Sequence, residues 1–307
     1  MRYPSHVTIV EVGPRDGLQN EAASISTADK IAFVDRLSAT GVPVIEVSAF
    51  VSPAWVPQMA DASDVFAGIT RREGTRYAAL VPNLAGLERA HAAGVGEVGI
   101  FAAASETFSR RNINQDIDAS LDTYRGVCAR ASELRIRVRG YVSAAFGCPF
   151  EGEVAPARVA EVAEALMNMG VFEVAISDTI GIAHPGRVRG VVSVVAERVP
   201  LHAIALHFHD TRGTALANVL TALGLGIATF DASAGGLGGC PYAPGATGNL
   251  ATEDLLYVLN GLGIETGVDL NALVQASAFI EPLVGHPLAS RYYRAAIASP
   301  QQQQQQQ

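Results

Sequence analysis

Short runs of β-branched residues alternate along the chain with longer Ala- and Leu-rich segments whose apolar positions recur at helical spacing. The first run, Val7–Val12, reads as a strand, and Thr27–Ala39 reads as a helix with Thr27 as its N-cap. Further strands are expected at Val42–Val47, Arg76–Val81, Glu97–Phe101, Arg135–Ser143, Val171–Ile176, His202–Phe208 and Thr229–Ala232. The helices between them fall at Ala62–Arg71, Leu84–Ala93, Ile117–Glu133, Ala155–Met169, Pro185–Arg198 and Thr214–Leu225. Eight strands separated by helices predict a parallel sheet, and eight such units in about 250 residues have the size of a closed (β/α)8 TIM barrel. The competing open, doubly wound sheet needs a dinucleotide fingerprint straight after its first strand. Here that position reads Gly13-Pro14-Arg15-Asp16-Gly17. Thr252–Leu262 closes the barrel, and Asp269–Ile280 and beyond reads as extra C-terminal helix packed outside. One catalytic domain over residues 1–300 follows. Gln301–Gln307 is a low-complexity tail outside the fold.

Barrel active sites sit at the C-terminal ends of the strands, and unusual polar residues collect there. Arg15 and Asp16 follow strand one, Glu46 ends strand two, Asp178 follows strand six, and His207 and His209 end strand seven. Cys240 and Asn249 lie in the Gly-rich stretch after strand eight. Closure puts strand one beside strand eight, so Asp16, the two histidines and Asn249 come from one rim. In His207-Phe208-His209 the imidazoles share a face of the strand. Such a pair serves either as hydrogen-bonded histidines or as two ligands to one metal. With Asp16 and Asn249 the set offers two nitrogens and two oxygens, which suits Mg²⁺ or Mn²⁺ better than a closed zinc site. Asp210 is a further ligand candidate or a partner to the ligands. Arg15 reads either as half of a surface ion pair or as a fixed charge aimed at a developing enolate oxygen.

Gly235-Gly236-Leu237-Gly238-Gly239 predicts positive φ or mobility ahead of Cys240. A lone cysteine is often a small buried hydrophobe, the reading taken for Cys128 inside a helix and favoured for Cys148; Cys240 on the rim can also exchange a proton. The three cysteines are an odd number set far apart, which points away from a disulfide scaffold and towards a reducing compartment. The net charge of −8 argues against general nucleic-acid binding. No run of about 20 apolar residues suggests a membrane span, and Met1–His6 carries no secretory leader, so a cytoplasmic location is expected.

Several stretches together resemble 3-hydroxy-3-methylglutaryl-CoA lyases, within the DRE-TIM metallolyase superfamily. They are Val12 to Glu21, Ser48 to Pro53 with Val56 to Met59, Ala104-Ser105-Glu106 with Asn112-Ile113-Asn114, Gly147 to Gly152, Ser177 to Gly181 and, most specifically, Gly235 to Asp254. The likeness covers about residues 5–285. It implies Asp16, His207, His209 and Asn249 as ligands to a divalent metal, Mg²⁺ or Mn²⁺. It implies Arg15 at the substrate carbonyl, Cys240 as the catalytic loop cysteine, and Glu46 and Asp178 as acidic residues supporting the site, with Asp178 or a metal-linked His207 as the base. An acyl-CoA thioester is the implied substrate, with Gln19, Arg110 and Arg111 as substrate contacts; the two arginines read equally as a solvated pair. A homodimer and a setting in leucine degradation are implied by the same likeness.

Arg212 and Thr214 stand where the family more often has Tyr and Gln, and Ala49 and His184 are also less usual. Arg212 therefore leaves a longer 3-hydroxy-3-alkylglutaryl-CoA open as the substrate. A Claisen condensing enzyme of the isopropylmalate synthase kind shares the metal pattern but usually carries a further C-terminal domain. An aldolase for 4-hydroxy-2-oxo acids lacks the Cys240 loop. A non-enzymatic metal- or CoA-binding barrel fits least, because every candidate catalytic position holds a competent residue.

Overall fold

The computed structural model describes residues 3–239 and 248–298. Eight parallel strands close a barrel in chain order. They are β1 (Thr8–Glu11), β2 (Val44–Ala49), β3 (Arg76–Leu80), β4 (Glu97–Ala103), β5 (Arg137–Ser143), β6 (Glu173–Asp178), β7 (Ile204–Phe208) and β8 (Thr229–Ala232). The register Thr8↔Thr229 to Glu11↔Ala232 joins the last strand to the first. The intervening helices are α1 (Thr27–Ala39), α2 (Ala62–Gly68), α3 (Leu84–Ala92), α4 (Glu106–Ile113), α5 (Ile117–Glu133), α6 (Pro156–Asn168), α7 (Pro185–Val195) and α8 (Ala215–Gly224). After β8 come α9 (Thr252–Gly261), α10 (Leu270–Val284) and α11 (Arg291–Ala298).

The strands are covered on both faces, which is why β2 (VIEVSA) and β7 (IALHF) are buried at every position. Most of the helices turn an apolar stripe inward, as α1 does with Phe33, Val34 and Leu37. Local chemistry sets the helix starts. Ser26, one residue before the expected Thr27, caps α1 by accepting from Asp29 N. Asn83, Asp116 and Asp269 cap α3, α5 and α10 in the same way. Proline opens α6 and α7, where its missing N–H costs nothing. The added helix α10 docks beside α1, with Arg36 over the Phe279 ring at 4.4 Å.

Three features differ from the expected pattern. β2 and β6 run two residues further than read, so Glu46 lies within β2, at a register shift against β3, and Asp178 is the last residue of β6. Helix α4 was not expected: it buries only Phe108 and Ser109, too little to give an apolar period. Residues Gly13–Gly17 wind into one π-helical turn opened by Pro14, a geometry frequent at functional sites. Among the described residues no helix is long and apolar enough to cross a membrane.

Candidate active site

Backbone pairing at the C-terminal rim brings four side chains together. The segment after the glycine stretch is stitched onto the end of β7: Asp210 N donates to Gly248 O at 3.0 Å and Leu250 N to Phe208 O at 2.9 Å. Those bonds set His209 opposite Asn249. On the other side Ser233 N donates to Leu250 O, and Ser233 pairs with Ala251, so residues 248–252 are held between β7 and β8. The π turn after β1 supplies Asp16. One ligand atom each from Asp16, His207 and His209 falls within 4.8 Å of the others. The two Nε2 atoms are 3.1 Å apart, and His209 Nε2 is 3.8 Å from Asp16 Oδ2. Asn249 Nδ2 donates to Asp16 Oδ2 at 2.9 Å and to Leu237 O at 3.0 Å, and its buried Oδ1 has no hydrogen-bond partner.

This donor set fits a hard divalent cation: two imidazoles, a carboxylate and a buried amide oxygen with an unused lone pair. The charge states fit as well. Burial opposes ionisation of Asp16, yet Arg15 and the two histidines hold its carboxyl below the usual range. Burial and the neighbouring His207 push His209 down to about 4, so it stays a neutral ligand near neutral pH. Asp210 does not join the group; its Oδ1 accepts from Ala215 N at the start of α8.

Arg15 is held from two sides. Its Nη1 donates to Asp16 Oδ1 at 2.5 Å and its Nη2 to Glu46 Oε2 at 2.8 Å. Tyr141 OH donates to the same Glu46 oxygen at 3.2 Å. Burial works against the Arg15 charge, but Glu46 and Asp16 outweigh it and keep the guanidinium protonated. Glu46 thus acts from below, inside the barrel, rather than at a strand end. Asp178 is also turned away from the rim opening: its carboxylate accepts from Ile182 N and Ala183 N, both at 3.0 Å, and braces the turn before α7. Burial raises that carboxyl to about 6.

A cleft of about 440 Å³ opens over these groups. Arg15, Asp16, Gln19, His207 and His209 are among its lining residues. Leu80, Phe101, Phe108, Ile113 and Tyr124 supply an apolar part of the lining. Arg110 and Arg111 are exposed on α4 and do not line the cleft, although Asn112 and Ile113 of the same helix do. Arg111 stacks on Phe150 at 4.2 Å. Exposed Arg212 donates to the carbonyls of Ile180 and Gly181 and lies outside the cleft lining. Cys148 is buried and hydrogen-bonded to Ser105 at 2.9 Å, a structural thiol. Gly235, Gly236 and Gly238 all have positive φ, as the glycine run predicts. Gly239 lines the cleft. Cys240, which follows it, lies outside the described residues.

A family model described as HMGL-like matches residues 6–280. The chain belongs to the HMGL-like family. It is 55% identical over 298 residues to the 3-hydroxy-3-isohexenylglutaryl-CoA/hydroxy-methylglutaryl-CoA lyase of Pseudomonas aeruginosa, covering 97% of this chain and 99% of that one. It is 53% identical over 292 residues to the mitochondrial hydroxymethylglutaryl-CoA lyase of rat, covering 95% and 90%. The crystal structure of the hydroxymethylglutaryl-CoA lyase of Pseudomonas aeruginosa superposes with a TM-score of 0.95 over 97% of this chain and 99% of that one, at 55% identity. Enzymes of this family depend on a divalent metal, which agrees with the donor set on the rim.

The rim residues were readable from this member's sequence, but the side chains beneath them were not. Inside the barrel, Asp231 contacts His207, Tyr141 bonds Glu46, and Arg139 ties Tyr141 and Asp231 together. One signal was available: Arg139 and Asp231 are charged residues in strands that otherwise read as buried.

Proposed function

We infer that this protein is a carbon–carbon lyase that cleaves 3-hydroxy-3-methylglutaryl-CoA to acetyl-CoA and acetoacetate. The observation that carries the reading is the convergence of Asp16, His207 and His209, with the Asn249 amide bonded to Asp16 and the Arg15 guanidinium beside them in the same cleft. The bond to break joins C2 to C3. A base at the rim takes the C3 hydroxyl proton, the O–H electrons form the ketone of acetoacetate, and the C2–C3 pair moves into the thioester as an enolate. Protonation at C2 completes acetyl-CoA.

Asp16, His207, His209 and Asn249 would hold the divalent cation, Mg²⁺ or Mn²⁺. Bound there, it supplies positive charge that polarises substrate oxygens and lowers the hydroxyl pKa. Arg15 is pre-oriented by Glu46 and Asp16, so its charge meets the enolate oxygen without reorganisation. Cys240 is assigned as the proton donor to C2. Its chain neighbour Gly239 borders the cleft, and Asn249 on the far side of the segment belongs to the metal set. Asp178, braced under the turn, supports the rim rather than facing substrate. Gln19, which lines the cleft, is assigned as a substrate contact, and the exposed Arg110 and Arg111 as contacts for an anionic part of the thioester. The barrel and its C-terminal helices act as one catalytic domain, in a cytoplasmic homodimer.

Acetyl-CoA release from purified protein, Mg²⁺ or Mn²⁺ and the thioester tests the reading. Release that EDTA abolishes and added metal restores is expected. Correctly folded, metal-loaded protein that releases none would overturn it. Gel filtration with light scattering checks the dimer.

A second reading is favoured by the apolar lining of Leu80, Phe101, Phe108 and Tyr124, and by a relative whose name includes an isohexenyl substrate. A 3-hydroxy-3-alkylglutaryl-CoA with a longer alkyl branch would then be cleaved as well. Direct competition between the two thioesters decides this, and a kcat/KM far lower for the longer one would remove it.

A further inference from the structure

His207 and Asp231 are register partners on neighbouring strands β7 and β8, with both side chains inside the barrel. His207 Nδ1 lies 3.2 Å from Asp231 Oδ2. Asp231 is 2% exposed. A carboxylate that deep is costly to ionise unless it is paired. Arg139, on β5 across the barrel, provides the pairing through two parallel bonds, Nη1 to Oδ2 at 3.1 Å and Nη2 to Oδ1 at 2.8 Å. Arg139 is itself tied to Glu173 at 2.8 Å and Tyr141 at 2.8 Å, so it cannot swing away.

An ionised carboxylate only accepts hydrogen bonds. The His207 nitrogen that faces Asp231 therefore carries a proton, which leaves Nε2 as the ring nitrogen available to a metal. Nε2 is the atom that points at His209 and the rim cluster. His209 has no such fixing, because its buried Nδ1 has no hydrogen-bond partner. The two histidines are thus unequal: one is locked in ring angle and tautomer, the other is not.

We propose that Asp231, clamped by Arg139, is a positioning residue that fixes the His207 ring with its proton on Nδ1, and so sets the affinity of the rim for its divalent metal. This rests on the metal-site reading given above. The partner of a ligating imidazole typically contributes 10–100-fold in metal affinity. Asp231 acts only through His207 and does not line the cleft. Its loss should therefore move the metal affinity while leaving the KM for thioester at saturating metal close to its starting value.

The test is Mn²⁺ binding, read from the free-ion paramagnetic resonance signal, for the full chain and for Asp231→Asn. The amide is nearly isosteric but can present either a donor or an acceptor to Nδ1, so it no longer selects a tautomer. A roughly 10–100-fold weaker Kd is expected in the folded variant. A folded Asp231→Asn that binds Mn²⁺ as tightly as the parent overturns the proposal and leaves the metal site standing. Absence of Mn²⁺ binding by the parent would remove the metal site, and this inference with it. If the variant does not fold, nitrogen-15 histidine spectra of the Mg²⁺-saturated parent decide. A protonated His207 Nδ1 is expected, and an unprotonated one refutes the assignment.

Discussion

Arg15 is bound by two carboxylates at once, Asp16 at 2.5 Å and Glu46 at 2.8 Å, and these use its two terminal nitrogens. A lysine ammonium is a single point charge on a flexible stem and cannot reproduce that fork. Arg15→Lys should keep the charge yet lose its aim at the enolate oxygen. The expected result is a fall in kcat of at least about 10²-fold, the size seen when one oxyanion donor is removed, with a melting temperature near the parent's. Steady-state kinetics beside a thermal melt checks it, and a Lys variant with parental kcat would show that Arg15 contributes charge alone. At this scale the sequence was readable where polarity is out of place. Asp16, His207 and His209 stand at or just past strand ends, where the fold predicts chemistry, and Asn249 in the segment after β8. Glu46 was visible but misplaced, because a strand boundary two residues off turns an inward-facing support into a rim residue. Tyr141 gave no signal, since a tyrosine in a strand is ordinary, and only the closed barrel shows its hydroxyl bonded to Glu46.

The glycine-rich stretch after β8 is the element that brings Asn249 to the rim. Gly238 has φ +115°, and a Cβ there would come within 2.5 Å of Asn249 Nδ2. The amide it would strike is the one that bonds Asp16 and Leu237. Gly238→Ala should therefore displace Asn249, the proposed amide ligand, without touching the core. Weaker Mn²⁺ binding and a raised metal requirement for turnover are expected, with little change in far-UV circular dichroism. Parental metal affinity in this variant would mean that Asn249 is not held by the backbone packing described. The elements themselves were legible because each barrel strand is a short apolar run and most of the helices have an apolar stripe. Helix α4 escaped because ETFSRRNI has almost no buried face. The π turn at Gly13–Gly17 escaped because five residues carry no period at all.

Barrel closure was the easiest feature of the whole molecule to foresee, since eight β/α units of the right length leave few alternatives. What closure costs was hidden. Glu11 on β1 and Glu253 on α9 are buried at 1% and 0% exposure, beside the start of the glycine stretch. Glu11 accepts from Gly13 N and Ala234 N, both at 2.8 Å, and from Thr252 Oγ1 at 2.7 Å. Glu253 accepts from Gly235 N and from the Ser277 hydroxyl. Burial pushes Glu11 to about 7 and Glu253 to about 8, from an ordinary value of 4.5. In the unfolded chain both are already ionised above about pH 5. From pH 6.5 to 8.5 the folded protein therefore binds more protons than the unfolded one, and stability falls as pH rises. At the site, His209, at about 4, has finished titrating below this window, and Asp178, raised to about 6, adds to the same decline at its lower end. Metal-free protein should thus lose melting temperature steadily across the window, at up to about 1.4 kcal/mol per pH unit for each carboxyl still protonated. Glu253→Gln mimics the protonated form and keeps an acceptor for Gly235 N and Ser277. It should flatten the decline and melt higher than the parent at pH 8.5, while matching it near pH 6.5. A Gln variant with the parent's full pH slope would show that Glu253 is ionised in the fold throughout, stabilised by its hydrogen bonds against burial.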